Sequence, residues 1–258
     1  MQPVLTAEHI TKVYRIGSGK TQAVSDAALS MVPGELTVLV GESGSGKTTL
    51  SRILAGIISP STGTVLLDGK SVVPPARKRD RTLCADIQMV LQNGMSALDP
   101  RFTVYRSIAE PIRNLMRLSP KEEKALVHSL MERTELPAEL AGRRPSELSG
   151  GQLKRVCIAR ALATSPRYLI FDEAVSGLDV LLKEKILCLI RDLHRQTGAA
   201  TLMITHDMDV ALYMADRIVV MRDSRIVENR TYTGSADCLT DPYSRLLVQQ
   251  MEPFAETP

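Results

Sequence analysis

Aromatic residues make up only 3% of the 258 positions, with no tryptophan, six tyrosines and three phenylalanines, so a tyrosine at a chosen place carries more information than usual. Cysteine is equally sparse. Cys84, Cys157, Cys188 and Cys238 lie far apart and form no C-x-x-C pair, which excludes a sequence-readable zinc site or disulfide framework and fits a reducing compartment. No apolar run approaches the roughly 20 residues of a membrane-spanning helix. The N-terminal residues show neither a basic n-region nor an apolar h-region. A role at a membrane is therefore expected to run through a partner. There is little excess of charge of one sign: 32 basic residues face 29 acidic ones, a net charge of +3. That balance gives no ground for a nucleic-acid partner. The densest basic run, Arg77, Lys78, Arg79 and Arg81 broken by Asp80, reads as a solvated loop. The eleven methionines and His9, His128 and His194 fall at no recognisable metal-ligand spacing. Internal repeats and low-complexity segments are lacking as well.

What is present is an ordinary globular composition, 44% hydrophobic and 24% charged, enough for one core or a core with a subdomain. Residues 4–14 and 23–32 mix β-branched and polar residues and predict antiparallel strands around a turn cluster at 17–21. A buried strand is predicted at 36–40, then a loop and a helix. Turn signals at 59–63 and at Asp68-Gly69 bracket a short strand at 64–67. Proline and charge over 72–81 predict a surface loop, and 86–91 reads as a strand ending at Gln92. Residues 104–134 carry helical stripes, Ile108, Ile112, Leu115 and Met116 on one and Leu126 and Leu130 on the next. Ser119-Pro120 stands between them as N-cap and first-turn residues. The pattern then alternates: strand 168–171, helix 180–196, strand 200–205, helix 207–215. Alternation of this kind predicts a mostly parallel sheet. Edge strands at 217–221 and 226–228, a short helix at 241–251 and frayed residues 253–258 complete the reading.

The sequence is organised around residues 41–48, Gly-Glu-Ser-Gly-Ser-Gly-Lys-Thr, directly after an apolar strand and directly before the helical pattern Leu50, Ile53, Leu54, Ile57. This G-x-x-x-x-G-K-[ST] spacing is the P-loop. Gly41, Gly44 and Gly46 let successive backbone N–H groups, with those of Ser43, Ser45 and Thr49 around them, turn toward one anion at a helix N-terminus. Lys47 is expected to reach the β- and γ-phosphates, and the Thr48 hydroxyl to hold Mg²⁺. A second site lies at 169–173, an apolar strand ending in Asp172 and Glu173. Asp172 is placed to meet the same metal, and Glu173, one residue on, to polarise a water for in-line attack. A third site is Leu148-Ser149-Gly150-Gly151-Gln152 at the start of a helix, where free amides make a second anion-binding edge with no ligand of its own and so invite a partner.

Leu148-Ser149-Gly150-Gly151-Gln152 resembles, letter for letter, the signature of ATP-binding cassette (ABC) proteins. Gln92 at a strand end, Ser176-Gly177-Leu178-Asp179 after the acids and His206 after strand 200–205 follow in that family's order. The resemblance spans about residues 3–230. It implies the α/β P-loop NTPase fold of ABC ATPases: a mostly parallel core, an N-terminal antiparallel β subdomain and a helical subdomain. In these terms residues 1–235 are one ATPase domain, with core at 1–92 and 165–235, helical subdomain at 93–164, and a tail at 236–258. The resemblance further implies ATP with Mg²⁺, Gln92 contacting the metal and water, His206 contacting the γ-phosphate, and Tyr14 stacking on adenine. Two subunits pair head to tail, Ser149, Gly150, Gly151, Gln152 and Asp179 serving the ATP of the other. ATP closes that pair and hydrolysis reopens it.

Residues 86–92 with Ser96-Ala97-Leu98-Asp99-Pro100-Arg101 look like the oligopeptide, dipeptide and nickel importer family. Residues 143–157 and 172–176 are more similar to its nickel members than to its peptide members. Ala174 departs from the proline most ABC ATPases carry, which leaves the turn possible but less rigid. Partners implied by the resemblance are a second, similar ATPase, two membrane permeases, the helical region 93–141 forming the groove for a coupling helix, and indirectly a substrate-binding protein. No nucleic acid is implied. The place of action is the cytoplasmic face of the inner membrane. A peptide importer ATPase and a soluble ABC ATPase unconnected with transport remain the alternatives.

Overall fold

The computed structural model describes residues 4–17, 19–72, 81–92 and 94–250. The loop expected over 72–81 lies mostly outside them, as do the frayed residues 253–258. The described residues fall into two compact units: those up to 72 together with those from 200 onward, and those from 81 to 199.

The first unit opens with strands β1 (Leu5–Ile16), β2 (Gly19–Met31) and β3 (Leu36–Val40), helix α1 (Lys47–Leu54), and strands β4 (Thr62–Leu67) and β5 (Lys70–Ser71). The second contains α2 (Arg81–Asp86), β6 (Ile87–Val90), α3 (Gly94–Ala97), α4 (Val104–Leu115), α5 (Pro120–Arg133), α6 (Gly150–Leu162), β7 (Tyr168–Asp172) and α7 (Val180–Thr197). The chain then returns to the first with β8 (Ala200–Thr205), α8 (Met208–Met214), β9 (Arg217–Arg222), β10 (Arg225–Thr231) and α9 (Pro242–Gln249).

In the first unit β2, β1, β4 and β5 form an antiparallel sheet in that order. A second layer runs β10, β9, β3, β8, with β3 parallel to both β8 and β9. Every residue of β3 and β8 is buried, as expected of parallel strands covered on both faces. Each fully buried leucine or valine there contributes about 1.5–3 kcal/mol. In the second unit β6 and β7 pair in parallel, Val90 opposite Phe171. Its helices start where capping chemistry predicts. Ser119 forms a capping box with Glu122, with Pro120 in the first turn of α5. Arg160 of α6 reaches Glu110 of α4 at 2.8 Å.

Three local expectations change. The segment 217–221 is not an edge strand: β9 is paired on both sides, and Ile218, Val219, Val220 and Met221 are all 0% exposed, leaving it no solvent face. The turn expected over 17–21 is shorter, because Gly19, Lys20 and Thr21 already pair with Ile16, Arg15 and Tyr14. Polar residues suit these exposed ends of a long hairpin, and composition alone cannot separate them from a loop. Asp86 ends α2 rather than opening the next strand, and its carboxylate takes a bond from Arg167 at 2.8 Å.

Candidate nucleotide site

Strand β3 delivers the chain into the glycine-rich loop. At Gly41 (φ 153°) and Gly46 (φ 104°) only glycine fits: a Cβ would stand 2.1 Å from the Met221 carbonyl oxygen and 2.1 Å from that of Ala23, respectively. Ala23 is the extra residue of a β-bulge. The partner of β1 jumps there from Gln22, opposite Val13, to Val24, opposite Lys12, which pushes the Ala23 carbonyl against the loop. Lys47, 4% exposed, folds back into the loop and donates to the carbonyls of Gly41 (2.7 Å) and Glu42 (2.6 Å) and to Ser45 Oγ (3.4 Å). The N-cap of α1 is Gly46, which has no side chain to offer the first-turn amides, and no acidic residue occupies that turn. Amides, helix N-terminus and a lysine therefore converge on one place, with Ser43 and Gly44 exposed at its rim and Thr48 and Thr49 half-buried in its first turn. The arrangement fits a polyphosphate.

His206 lies in the same unit. Strand β8 runs level with β3, Val40 opposite Thr205, so His206 and Gly41 leave their strands side by side. Asp207 N–H donates to Thr205 Oγ1 at 3.0 Å and fixes the exit. Tyr14 sits on β1 opposite Thr21, two residues before the Ala23 that meets Gly46. Its ring is 39% exposed, with the Lys12 ammonium 5.2 Å from the centroid.

The second unit presents the acids. Asp172 ends β7 at 2% exposure. Glu173 then turns off the strand with φ 47°, a left-handed conformation that costs a residue with a side chain roughly 1–2 kcal/mol. The turn is closed by Ser176 N–H donating to the Glu173 carbonyl at 3.1 Å, with Ala174 buried inside it. Gln92, two residues past the end of β6, donates from Nε2 to Glu173 Oε2 at 2.7 Å. The Gln92 carbonyl in turn accepts from the Lys154 ammonium, reaching across from α6. Burial pushes the Lys154 pKa down, against the opposing influence of Cys157, Asp172 and Glu173. Burial likewise raises the Cys157 thiol to about 11, so it stays protonated and donates to the Gly94 carbonyl at 3.7 Å.

Helix α6 begins at Gly150. Ser149 caps it, its hydroxyl accepting from Gln152 N–H at 3.3 Å, while Gln152 Oε1 accepts from Ser149 N–H at 2.9 Å. Gly151 packs so closely on α7 that a Cβ would lie 2.7 Å from Leu182 Cδ1. Asp179 caps α7 by accepting from Leu182 N–H at 3.0 Å.

Residues 24–176 match the family model described as ABC transporter, a span that takes in the glycine-rich loop, Gln92, the Ser149 helix start and both acids. The chain belongs to the ABC transporter family. A nickel import ATP-binding protein NikE of Rhodospirillum rubrum is 40% identical over 98% of this chain and 93% of its own length. One from Brucella suis is 36% identical over 97% and 96%. Among solved structures, a dimeric bacterial ABC transporter cassette superposes with a TM-score of 0.79 at 29% identity, covering 88% of this chain and 98% of that one. The cbiO1 protein of Clostridium perfringens, part of the ABC transporter complex cbiONQ, gives 0.78 at 30% identity over 90% and 89%. The fold is accordingly the α/β P-loop fold of ABC ATPases.

Within this ABC framework the signature differs from expectation in one respect. The Ser149 amide is not free, because the capping box takes it, and the Gln152 amide is taken too. The first-turn amides of Gly150 and Gly151 are what the helix start retains for an anion. Two contacts had no sequence signal. Lys154 and Gln92 are 62 residues apart, and only the fold brings them together. Tyr243, in the C-terminal helix, accepts from the Glu42 amide of the phosphate loop at 3.3 Å. Among the described residues no group of three or more His, Cys, Asp or Glu is placed to hold a metal, and no helix is long and apolar enough to cross a membrane.

Proposed function

We propose that this chain is the ATP-hydrolysing subunit of an ABC importer that takes up nickel. The observation that carries the reading is the near full-length likeness to nickel import ATP-binding proteins, supported by a phosphate loop already closed around Lys47. Lys47 exchanges the carbonyls of Gly41 and Glu42 for the β- and γ-phosphates. Glu173, oriented by Gln92, accepts hydrogen bonding from the attacking water, and His206 steadies the γ-phosphate. Thr48 and Asp172 would supply oxygen ligands of the hard kind Mg²⁺ prefers, and the Gln92 side chain another. When bound, Mg²⁺ neutralises phosphate charge during transfer. Tyr14 offers its exposed ring to adenine.

Ser149, Gly150, Gly151, Gln152 and Asp179 serve the ATP of a second, similar ATPase subunit. The helical region 93–141 meets one of two permeases at the cytoplasmic face of the inner membrane, with a substrate-binding protein outside. Cargo is tested by uptake in a strain lacking this gene. The intact gene is expected to restore ⁶³Ni accumulation, and Lys47→Ala is not. Restoration of dipeptide uptake instead would reassign the cargo, and restoration of neither would remove the importer reading.

A further inference from the structure

We propose that the C-terminal segment is a strap that positions the phosphate loop through the Tyr243 hydroxyl, an inference that rests on the ATP-binding reading above. The strap is fixed at its root. Glu228, on β10 and only 5% exposed, accepts from Thr240 N–H (2.9 and 3.2 Å), Thr240 Oγ1 (3.0 Å) and Asp241 N–H (3.0 Å). Leu239 is wholly buried, and its carbonyl accepts from Arg245 Nε at 3.2 Å. Asp241 caps α9 by accepting from Tyr243 N–H at 2.8 Å, with Pro242 in the first turn. These bonds set the direction of one side chain. The Tyr243 ring is 5% exposed, with the Arg222 guanidinium 4.7 Å from its centroid, and its hydroxyl accepts from Glu42 N–H.

The loop at Glu42 is thus gripped from two directions. Tyr243 takes the amide of Glu42, while Lys47 takes the carbonyls of Gly41 and Glu42. The two grips differ in what a nucleotide does to them. A phosphate that draws the Lys47 ammonium away removes its bonds to both carbonyls, whereas the Tyr243 contact comes from outside the loop and is kept. Tyr243 therefore holds the loop in its phosphate-binding shape when the lysine is engaged elsewhere, so that less ordering has to accompany binding. Burial raises the pKa of this phenol, so it stays neutral at physiological pH.

The test is ATP titration of the full-length chain by calorimetry, with amide exchange read over residues 41–46. Tyr243→Phe keeps the ring and its stacking and removes one hydrogen bond. It is expected to weaken ATP binding about three- to tenfold. Exchange in the loop should speed at least threefold in the ATP-bound protein, and the melting temperature without ATP should fall by only about 2–4 °C. Glu228→Gln loosens the root, remote from the loop, and is expected to weaken ATP binding in the same direction by a smaller factor. Wild-type affinity and wild-type exchange in Tyr243→Phe would overturn the strap. So would unchanged affinity in Glu228→Gln once exchange shows the tail released. A wild-type chain that binds no ATP would instead overturn the functional reading beneath it.

Discussion

Glu173 holds a left-handed backbone at φ 47° while its carboxylate is bound by Gln92 at 2.7 Å. A residue kept in an unfavourable conformation is one whose direction is over-determined by its surroundings, which is what orienting a water requires. Glu173→Gln keeps the shape and removes the basic oxygen. ATPase activity of the assembled transporter is expected to fall at least 100-fold with ATP affinity within twofold of wild type; turnover near wild type would take Glu173 out of the reaction. Lys154 poses the opposite problem. It is a buried ammonium whose pKa is lowered by burial, and it holds the Gln92 carbonyl. Lys154→Met roughly keeps the volume but deletes the charge that faces Asp172 and Glu173 and the bond to the Gln92 carbonyl, so the melting temperature should fall. Freed from that grip, Gln92 is expected to orient Glu173 less well, and kcat to fall about three- to tenfold. The phosphate-loop residues and the acids were legible in the sequence because their spacing is local. Lys154 was not, because no local rule ties it to a carbonyl 62 positions away.

At the scale of elements, the Ser119 cap with Pro120 read directly from sequence. The caps at Ser149 and Asp179 did not, because those residues stood out in the sequence for other roles. Strand β9 did not, since a buried apolar run near the end of a sheet looks the same whether it has one neighbour or two. The importance of the tail was also hidden, although its helix was expected. Its anchor is Glu228, where burial alone would raise the pKa, but hydrogen bonds from Thr240 and Asp241 outweigh that and hold it below the ordinary 4.5. A depressed carboxylate pKa means that the folded state favours the charged form. The stabilisation is full above pH 4.5 and is lost as pH falls through the lower folded value. Amide exchange over residues 239–245 should therefore be slow at pH 6 and, corrected for intrinsic rates, accelerate below about pH 4.5. In Glu228→Gln it should be fast at both. A wild-type tail equally protected at pH 3.5 would show that the charge of Glu228 does not hold it.

For the whole molecule, the two helix starts proposed to meet phosphate differ in what they offer. That of α1 meets Lys47 and a loop shaped around it, whereas that of α6 offers the amides of Gly150 and Gly151 with a self-satisfied cap beside them. The solved relative that superposes along nearly all its length is a dimer. The expectation of a second subunit was legible from a second helix start suited to an anion in a chain with one phosphate loop. The cargo was not, because a subunit that binds nucleotide has no reason to carry residues that read nickel or peptide. The head-to-tail arrangement can be tested at Gly150, where a Cβ would meet nothing within 4 Å. Gly150→Asp places a carboxylate in the first turn of α6, where the helix dipole favours it by about 0.3–1 kcal/mol, so the chain should be as stable as wild type or slightly more so. ATP affinity of its own phosphate loop should be unchanged. The same carboxylate would face the γ-phosphate held by the other subunit, and in the assembled transporter ATPase activity is expected to drop at least tenfold. Full activity in the complex, with the variant chain folded and incorporated, would mean that the Gly150 edge meets no phosphate.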